Sequence, residues 1–282
     1  MFTPTPIPAG LERVGLIATD VDHTLFTEAG ELPDGIDARL DQLRELGVTF
    51  AIASGRQLGT LRQVFPQYAD NSVLISDNGG SIAECGSIVY QAELPISEVR
   101  ELVALTRRFG GIGIILTPKV AYVEARHAEE CEEFFHRFYL DIEWVDDLMA
   151  VDDVADKYTI YYPNHDAKRA LDEQWAPELT GRYELALGDV MWVDVAPKGV
   201  SKGSALERLG ELCGIDVADM LAFGDTFNDA QMLATVGFGF MMANSSPGME
   251  RYGRYVAPSN EDFGVVQVMD EVIAAKRNQL RS

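Results

Sequence analysis

The run Leu16-Ile17-Ala18-Thr19-Asp20-Val21-Asp22-His23-Thr24-Leu25 is the most informative segment of this chain. Its opening apolar run predicts a short buried strand, and two carboxylates, Asp20 and Asp22, follow directly. In an open parallel sheet, the carboxyl ends of the strands form the edge where ligands bind. Two acids at that edge indicate a site for a cation or for proton transfer, because folding alone gives little reason for them.

The elements around this stretch alternate between short apolar strands and helical patterns. Gly47 closes the first helical pattern, and Pro66 stops the second. The order strand, helix, strand, helix, strand predicts a parallel sheet with helices on both faces. The predicted strands of this part lie at 15–19, 49–53, 73–76, 220–223 and 237–241. The predicted helices lie at 36–46, 58–65, 201–212, 228–234 and 263–276.

The middle third of the chain breaks this rhythm. After the turn signal Asn78-Gly79-Gly80 it mixes strands with helices, which are predicted at 97–109, 129–138 and 166–175, and Gly188-Asp189 indicates a two-residue hairpin. An inserted module explains this mixture better than a longer parallel sheet. We therefore predict an α/β fold with a discontinuous, doubly wound parallel-sheet core at 1–90 and 196–282 and an inserted α+β domain at 91–195.

The charge balance is strongly acidic, with 23 Lys and Arg against 45 Asp and Glu and a formal net charge of −22. Such a surface repels nucleic-acid phosphates and anionic membranes, so neither is an expected partner. It also repels an anionic small substrate at long range. A phosphorylated substrate would therefore need local positive charge from a metal ion or from a few well-placed basic residues.

The three cysteines, Cys85, Cys131 and Cys213, are far apart and lack metal-ligand spacing, which fits free thiols in a reducing compartment. The first residues lack the basic and apolar regions of a signal peptide. No apolar run approaches the roughly 18 residues of a membrane span. We expect a cytoplasmic protein, as a monomer or small homo-oligomer.

A second acidic cluster follows another predicted strand, in Gly224-Asp225-Thr226-Phe227-Asn228-Asp229. Asp225 is expected at the same sheet edge as Asp20, and Asp229 about one helical turn further on. Oxygen ligands suit a hard cation, and Mg²⁺ takes one or two carboxylates together with phosphate and water. The alternative is a pair of solvated acids at a helix N-terminus, where the helix dipole favours them.

Two further segments belong to the same predicted edge. Ser54-Gly55-Arg56 offers a hydroxyl and backbone N–H groups to an oxyanion, although a serine there also serves as an ordinary helix N-cap. Ser201-Lys202-Gly203 supplies a lysine that could neutralise a transferring phosphoryl group, although such a lysine is often only a solvated charge. Lys198 lies nearby in the chain and is the weaker candidate.

Taken together and in this order, the four segments resemble the signatures of the haloacid dehalogenase (HAD) superfamily of phosphohydrolases. Asn78-Gly79, Met242-Ala243-Asn244 and Asn260-Glu261-Asp262 are similar to further motifs of its Cof-like branch. The resemblance implies a Rossmann-like HAD core with an inserted α/β cap that sets substrate specificity. The residue matches are confined to the core, and the cap matches only in size and pattern.

The resemblance also implies a role for each matched residue. Asp20 would attack phosphorus and form an aspartyl-phosphate, and Asp22 would act as the general acid and then the general base. Lys202 would stabilise charge and help to bind phosphate, and Ser54 and Gly55 would hold the phosphoryl oxygens. The implied Mg²⁺ ligands are Asp20, the backbone carbonyl of Asp22, and Asp225, supported by Asn228 and Asp229.

One residue departs from the pattern at the centre of the site. His23 stands where the family usually has glycine, which tolerates positive φ. This implies either a compatible backbone or a rebuilt loop, and we favour a tolerated loop residue over a catalytic one. A second departure, Phe263 within Asp262-Phe263-Gly264, concerns a peripheral loop.

The expected function is that of a Mg²⁺-dependent phosphomonoesterase acting on a small phosphorylated metabolite, with a sugar phosphate favoured. One alternative is a phosphotransferase or phosphomutase that uses the same aspartyl-phosphate. A second is a non-catalytic sugar-phosphate sensor. A phospho-accepting receiver domain is disfavoured, because a receiver is much shorter and keeps its acidic pair on a different strand from the acceptor.

Overall fold

The computed structural model describes residues 1–69, 71–188 and 190–281 and contains two β-sheets. The first sheet has eight strands in the order β14-β13-β12-β1-β2-β3-β4-β5. Its strands are β1 Leu16–Thr19, β2 Thr49–Ala53, β3 Val73–Ser76, β4 Ser81–Glu84, β5 Ser87–Gln91, β12 Met220–Gly224, β13 Phe238–Met242 and β14 Tyr255–Ala257.

Strand β1 lies between β2 and β12, and both neighbours run parallel to it. The order continues in parallel from β12 to β13 and β14, so the chain winds outward from β1 in two directions. All four residues of β1 are buried, as expected for a central strand covered on both faces. The predicted doubly wound parallel core is confirmed.

The helices associated with this sheet pack in two groups, α1 against α9 and α7 against α8. Helix α1 ends close to Gly47, as the glycine predicted. The helices of this part are α1 Ile36–Glu45, α7 Lys202–Cys213, α8 Ala230–Thr235 and α9 Gly264–Gln279.

The second sheet is mainly antiparallel and has the order β10-β11-β9-β6-β7-β8. Only β7 and β8 run parallel to each other among its described pairs. Its strands are β6 Ile112–Leu116, β7 Ala121–Glu124, β8 Ile142–Val145, β9 Lys157–Tyr161, β10 Tyr183–Leu187 and β11 Trp192–Pro197. The remaining helices are α2 Leu58–Val64, α3 Ile96–Phe109, α4 Ala128–Phe135, α5 Ala167–Ala170 and α6 Ala176–Leu179.

Two hydrophobic clusters cover this second sheet. One contains apolar residues of α3, α5 and α6, with Trp175 fully buried. The other is aromatic and contains Phe135, Tyr161 and Trp192. The predicted α+β character of the insertion is confirmed, because helices pack on an antiparallel-rich sheet.

Several predicted boundaries differ from the observed ones. The edge strands β8 and β14 were not predicted, because each has only three or four residues and weak alternation. The helical pattern predicted from 166 to 175 continues to Leu179, since Pro177 lies in the first turn of α6 where its missing N–H is tolerated. Of the predicted hairpin, Asp189 lies outside the described residues, and β10 and β11 on either side pair antiparallel.

The chain divides into two compact units. The first consists of Met1–Ser54, Asn71–Leu74 and Ser201–Ser282, and the second of Gly55–Asp70 and Ile75–Val200. The predicted domain boundaries, at 90/91 and 195/196, stay a prediction. Among the described residues, no helix has both the length and the apolar character needed to cross a lipid bilayer.

Candidate active site

The first unit brings the ends of three parallel strands to one edge of the sheet. In the strand register Thr19 lies opposite both Ile52 and Phe223, so Asp20, Ser54 and Asp225 all follow at the same carboxyl edge. The backbone N–H of Asp20 extends the ladder by donating to the carbonyl of Phe223 at 3.0 Å. Ser54 is buried where β2 ends.

Three buried carboxylates converge at this edge. Asp20, Asp225 and Asp229 each offer an oxygen within 4.8 Å of the others. Lys202 lies among them with its side chain fully buried, and its Nζ is 2.5 Å from Asp20 Oδ1 and 2.7 Å from Asp229 Oδ1. By contrast, Lys198 is exposed. Of the two candidate lysines, Lys202 is therefore the one whose described contacts include these carboxylates.

The electrostatics of this cluster show a shortage of positive charge. Burial raises the pKa of Asp20 well above its ordinary value, repulsion from Asp229 adds to the shift, and Lys202 opposes it. Burial and repulsion from Asp229 also raise the pKa of Asp225, to about 6. Burial lowers the pKa of Lys202, but its two carboxylate partners outweigh that effect and leave the ammonium charged. Because three carboxylates share one ammonium group, a second cation would stabilise their ionised forms.

The donor set fits a hard divalent ion. Both oxygens of Asp229 already accept hydrogen bonds, one from Lys202 and the other from the backbone N–H of Asp225 at 2.9 Å. Asp229 therefore holds the loop that carries Asp225. Asp20 and Asp225 are the better-placed ligands, and Thr24 orients Asp225 through a 3.1 Å bond from Oγ1 to Oδ1. Mg²⁺ prefers oxygen ligands of this kind.

The remaining predicted residues are Asp22, Asn228 and Gly55. The Asp22 side chain is exposed, and it is absent from the group of converging carboxylates. Asn228 is also exposed and accepts a hydrogen bond from Thr226 Oγ1 at 2.6 Å. Gly55 begins the second compact unit. The predicted roles of these residues stay predictions.

The loop after Asp22 contains a residue in the left-handed conformation. His23 adopts φ +58°, the left-handed conformation that glycine would take at this position. Its Nδ1 lies 3.0 Å from Glu28 Oε1, and this hydrogen bond raises the pKa of His23. The backbone at His23 lies in the region that glycine tolerates, which favours a compatible backbone over a rebuilt loop.

Two asparagine side chains donate hydrogen bonds to backbone carbonyls of this loop. Asn244 Nδ2 donates to the carbonyl of His23 at 2.8 Å, and Asn260 Nδ2 donates to the carbonyl of Phe26 at 3.0 Å. The backbone N–H of Asn260 in turn donates to Asn244 Oδ1 at 3.1 Å. Both asparagines belong to motifs that the sequence matched to the family, but their structural role was not predicted. Nor was the contact of Thr24 with Asp225.

The local fold of α7 explains how Lys202 reaches the carboxylates. Ser201 is the N-cap, and its side chain accepts from the N–H of Ser204 while Ser204 Oγ accepts from the N–H of Ser201. A Cβ on Gly203 would lie 2.8 Å from the backbone carbon of Gln231. Glycine at this position lets the start of α7 approach the neighbouring backbone closely, with Lys202 at the first helical position.

Comparison with known proteins identifies the family. The model of the haloacid dehalogenase-like hydrolases matches residues 17–269, and the chain belongs to this family. The chain is 27% identical to the 5-amino-6-(5-phospho-D-ribitylamino)uracil phosphatase YbjI of Escherichia coli, over 92% of this chain and 96% of that protein. It is 29% identical to the HMP-PP phosphatase of Cronobacter sakazakii, over 84% and 86%.

A solved structure supports the same assignment at the level of fold. SMU.1108c from Streptococcus mutans superposes with a TM-score of 0.83 at 22% identity, covering 93% of this chain and 99% of that one. The fold is that of a HAD-type hydrolase, with a Rossmann-like core and a cap. With the family and its phosphatase relatives, this makes the chain a phosphatase of the Cof-like branch.

Proposed function

We propose that this phosphatase is a Mg²⁺-dependent phosphomonoesterase that works through an aspartyl-phosphate on Asp20. The observation that carries the proposal is the contact of Lys202 Nζ with Asp20 Oδ1 at 2.5 Å, beside the buried Asp225. A carboxyl group whose pKa is raised by burial is ionised to a smaller extent at neutral pH, and its protonated form is a poor nucleophile. A lysine and a divalent cation next to it favour the ionised form that attack requires.

In the first step an oxygen of Asp20 attacks phosphorus, and the bond from phosphorus to the ester oxygen breaks. The proton that the departing alkoxide needs comes from Asp22. The exposed position of Asp22 supports this role, because a general acid must reach the ester oxygen of a bound substrate. Lys202 balances the negative charge shared by Asp20 and the phosphoryl group.

In the second step water cleaves the aspartyl-phosphate. Asp22, now ionised, takes a proton from the water, and inorganic phosphate and free Asp20 result. Ser54 and Gly55 would hold the phosphoryl oxygens in both steps, Ser54 through its hydroxyl and Gly55 through its N–H. The predicted support residues, Asn228 and Asp229, would keep Asp225 in place, and Asp229 already contacts the Asp225 N–H.

Mg²⁺, bound by Asp20, Asp225 and the carbonyl of Asp22, would neutralise charge on the phosphoryl group and let several carboxylates share the site. The local imbalance of three buried acids against one lysine supports this cofactor. The net charge of −22 adds no positive field at long range, so positive charge at the site must be local. The proposed reaction therefore requires the divalent cation.

For the substrate we propose a small phosphorylated metabolite with a polyol or sugar chain. The name of the E. coli relative describes a phosphate ester on a ribityl chain, which is a polyol, and this supports a sugar-phosphate-like substrate. The acidic surface and the three free cysteines support a cytoplasmic enzyme without a nucleic-acid partner.

A panel of phosphate esters tests the proposal. Sugar phosphates, polyol phosphates, nucleotides, flavin mononucleotide and pyridoxal phosphate are assayed for phosphate release with Mg²⁺ and with EDTA. We expect release from several sugar or polyol phosphates, with activity falling at least ~100-fold in EDTA and returning on addition of Mg²⁺. Full activity in EDTA would refute the metal dependence.

The same assay separates hydrolysis from phosphoryl transfer. Sugar acceptors are added, and phosphorylated acceptor is measured beside inorganic phosphate. A hydrolase releases phosphate without needing an acceptor. A phosphotransferase or mutase forms phosphorylated acceptor in preference to phosphate, and a sensor binds esters without turnover.

A further inference from the structure

A buried lysine in the second compact unit forms an ion cluster that the proposed chemistry does not use. Lys157 starts β9, is 4% exposed, and its Nζ lies 3.1 Å from Asp77 Oδ1 and 3.4 Å from Asp194 Oδ2. Burial lowers the pKa of this ammonium, but attraction to Asp194 and Asp77 outweighs that effect. Lys157 is therefore a buried permanent charge.

The same ammonium binds the backbone next to the predicted phosphate-binding serine. Lys157 Nζ donates to the carbonyl of Gly55 at 3.1 Å. The N–H of Asp77, the ion-pair partner of Lys157, donates to the carbonyl of Arg56 at 2.9 Å. Two consecutive carbonyls are thus held by the two members of one ion pair, and the first of them belongs to the residue that follows Ser54.

Further contacts restrain the same short segment. A Cβ on Gly55 would lie only 3.2 Å from the Asn78 side chain, so Asn78 packs directly on the glycine backbone. Gln57 Nε2 donates to the carbonyl of Thr117 at 2.7 Å. Residues 55, 56 and 57 are each held by a contact from the same unit.

The backbone that presents Asp77 and Asn78 has an uncommon conformation. These consecutive non-glycine residues have φ values of +52° and +55°. The left-handed region is uncommon for residues with a Cβ, and Asp and Asn adopt it more readily than most. The ion pair with Lys157 is one contact that holds Asp77 in this turn.

Core stability is a weak reason for this cluster. Burying an ion pair carries a large desolvation cost, and well-packed apolar residues in its place are often neutral or stabilising. What an apolar residue at position 157 could not do is hold the carbonyl of Gly55. The specific consequence of the lysine is therefore the fixed orientation of one peptide group, which consists of the Gly55 carbonyl and the Arg56 N–H.

We propose that Lys157 is a positioning residue for phosphate binding. Its ammonium fixes the Gly55-Arg56 backbone, so that the N–H groups after Ser54 point at the phosphoryl oxygens without reorganising when substrate arrives. Lys157 does not touch the substrate. This inference rests on the proposed function, because it uses the phosphate-binding role of Ser54 and Gly55.

The test measures binding of inorganic phosphate, as a competitive inhibitor in the presence of Mg²⁺, to the full-length protein. In Lys157→Met we expect phosphate affinity and kcat each to fall at least tenfold, because the backbone N–H groups lose their fixed orientation. The matched control is Thr159→Val, which removes the 2.7 Å bond from Thr159 Oγ1 to Asp194 Oδ1 but leaves the carbonyl of Gly55 bound. We expect phosphate affinity in the control within twofold of wild type at a comparably lowered Tm.

If Lys157→Met does not fold, the double variant Lys157→Met/Asp77→Asn replaces it, because it removes both charges and keeps the Asp77 N–H. Phosphate affinity within twofold of wild type in the folded variant overturns the positioning role. An equal loss of affinity in Thr159→Val overturns it as well, since the effect would then be general destabilisation. Ser54→Ala separates the two proposals: if it leaves phosphate affinity unchanged, the proposed phosphate site itself is wrong.

Discussion

His23 occupies a glycine-like backbone position beside the proposed general acid. Its φ of +58° is strained for a residue with a Cβ, and its ring contacts Glu28 at the surface rather than Asp225 or Lys202. These observations favour a tolerated loop residue over a catalytic one. The exposed contact with Glu28 contributes little to stability.

The substitution His23→Gly tests this directly. We expect turnover of several phosphate esters within twofold of wild type and a change in unfolding free energy within about 1 kcal/mol, because lost strain and gained chain entropy nearly cancel. His165→Gly is the matched control, since His165 is also exposed and has φ +61°. A tenfold fall in kcat in His23→Gly alone would show that the ring takes part in catalysis.

At the residue scale the core motifs could be predicted, and the buried ion cluster could not. Asp20, Ser54, Lys202 and Asp225 follow strands or start a helix at fixed spacing, so the sheet geometry predicts that they meet. The members of the Lys157 cluster come from β9, β11 and the turn after β3, and no spacing connects them. From sequence alone, a lysine in a strand is expected at an exposed position, because lysine is almost never fully buried.

At the scale of elements, α7 carries the lysine to the site because its second residue is glycine. A Cβ at Gly203 would collide with the backbone of Gln231, which cannot move as easily as a side-chain tip. The sequence predicted this helix from its cap and its apolar spacing. It could not predict the close approach of α7 to the next segment, because that depends on tertiary packing.

We expect Gly203→Ala to destabilise the protein by about 1–3 kcal/mol, the usual cost of forcing extra volume into a packed contact. The start of α7 would shift, and kcat would fall at least tenfold because Lys202 moves with it. Urea unfolding and steady-state kinetics measure both effects. The control is Leu212→Ala, at an exposed position of the same helix. It should lower neither the unfolding free energy nor kcat by a similar amount. Wild-type kcat in Gly203→Ala would contradict this account of α7.

The boundaries of helices and strands follow less directly from the sequence than their existence does. Central strands such as β1 and β12 were located within one residue, because a run buried on both faces has a continuous apolar pattern. The edge strands β8 and β14 were not predicted, since strands this short show little alternation of apolar and polar residues. The extension of the predicted helix to Leu179 depends on where Pro177 falls within the helical turn.

At the scale of the whole molecule, buried acids govern how stability depends on pH. Burial raises the pKa of Asp77 to about 6, with Lys157 opposing the shift. A carboxyl group with a raised folded-state pKa contributes stability that is fully present below its ordinary pKa and is lost as pH rises through 6.

We therefore expect the unfolding free energy of the wild type to fall from pH 5.0 to pH 7.5, and Asp77 to account for about 1 kcal/mol of that fall. Urea unfolding of wild type and Asp77→Asn at the two pH values measures this share. The variant should be less stable at both pH values, yet its stability should change less between them. An identical pH dependence in the two proteins would show that Asp77 does not titrate in this range.

The turnover of Asp20→Asn on the best ester of the panel shows whether Asp20 is the nucleophile of this phosphatase. Asp219→Asn is the matched control, because Asp219 is a partly exposed carboxylate of the same unit that pairs only with Arg13 among the contacts described for its side chain. We predict that kcat falls at least ~1000-fold in Asp20→Asn and stays within twofold of wild type in the control. Turnover of Asp20→Asn within tenfold of wild type would contradict the account.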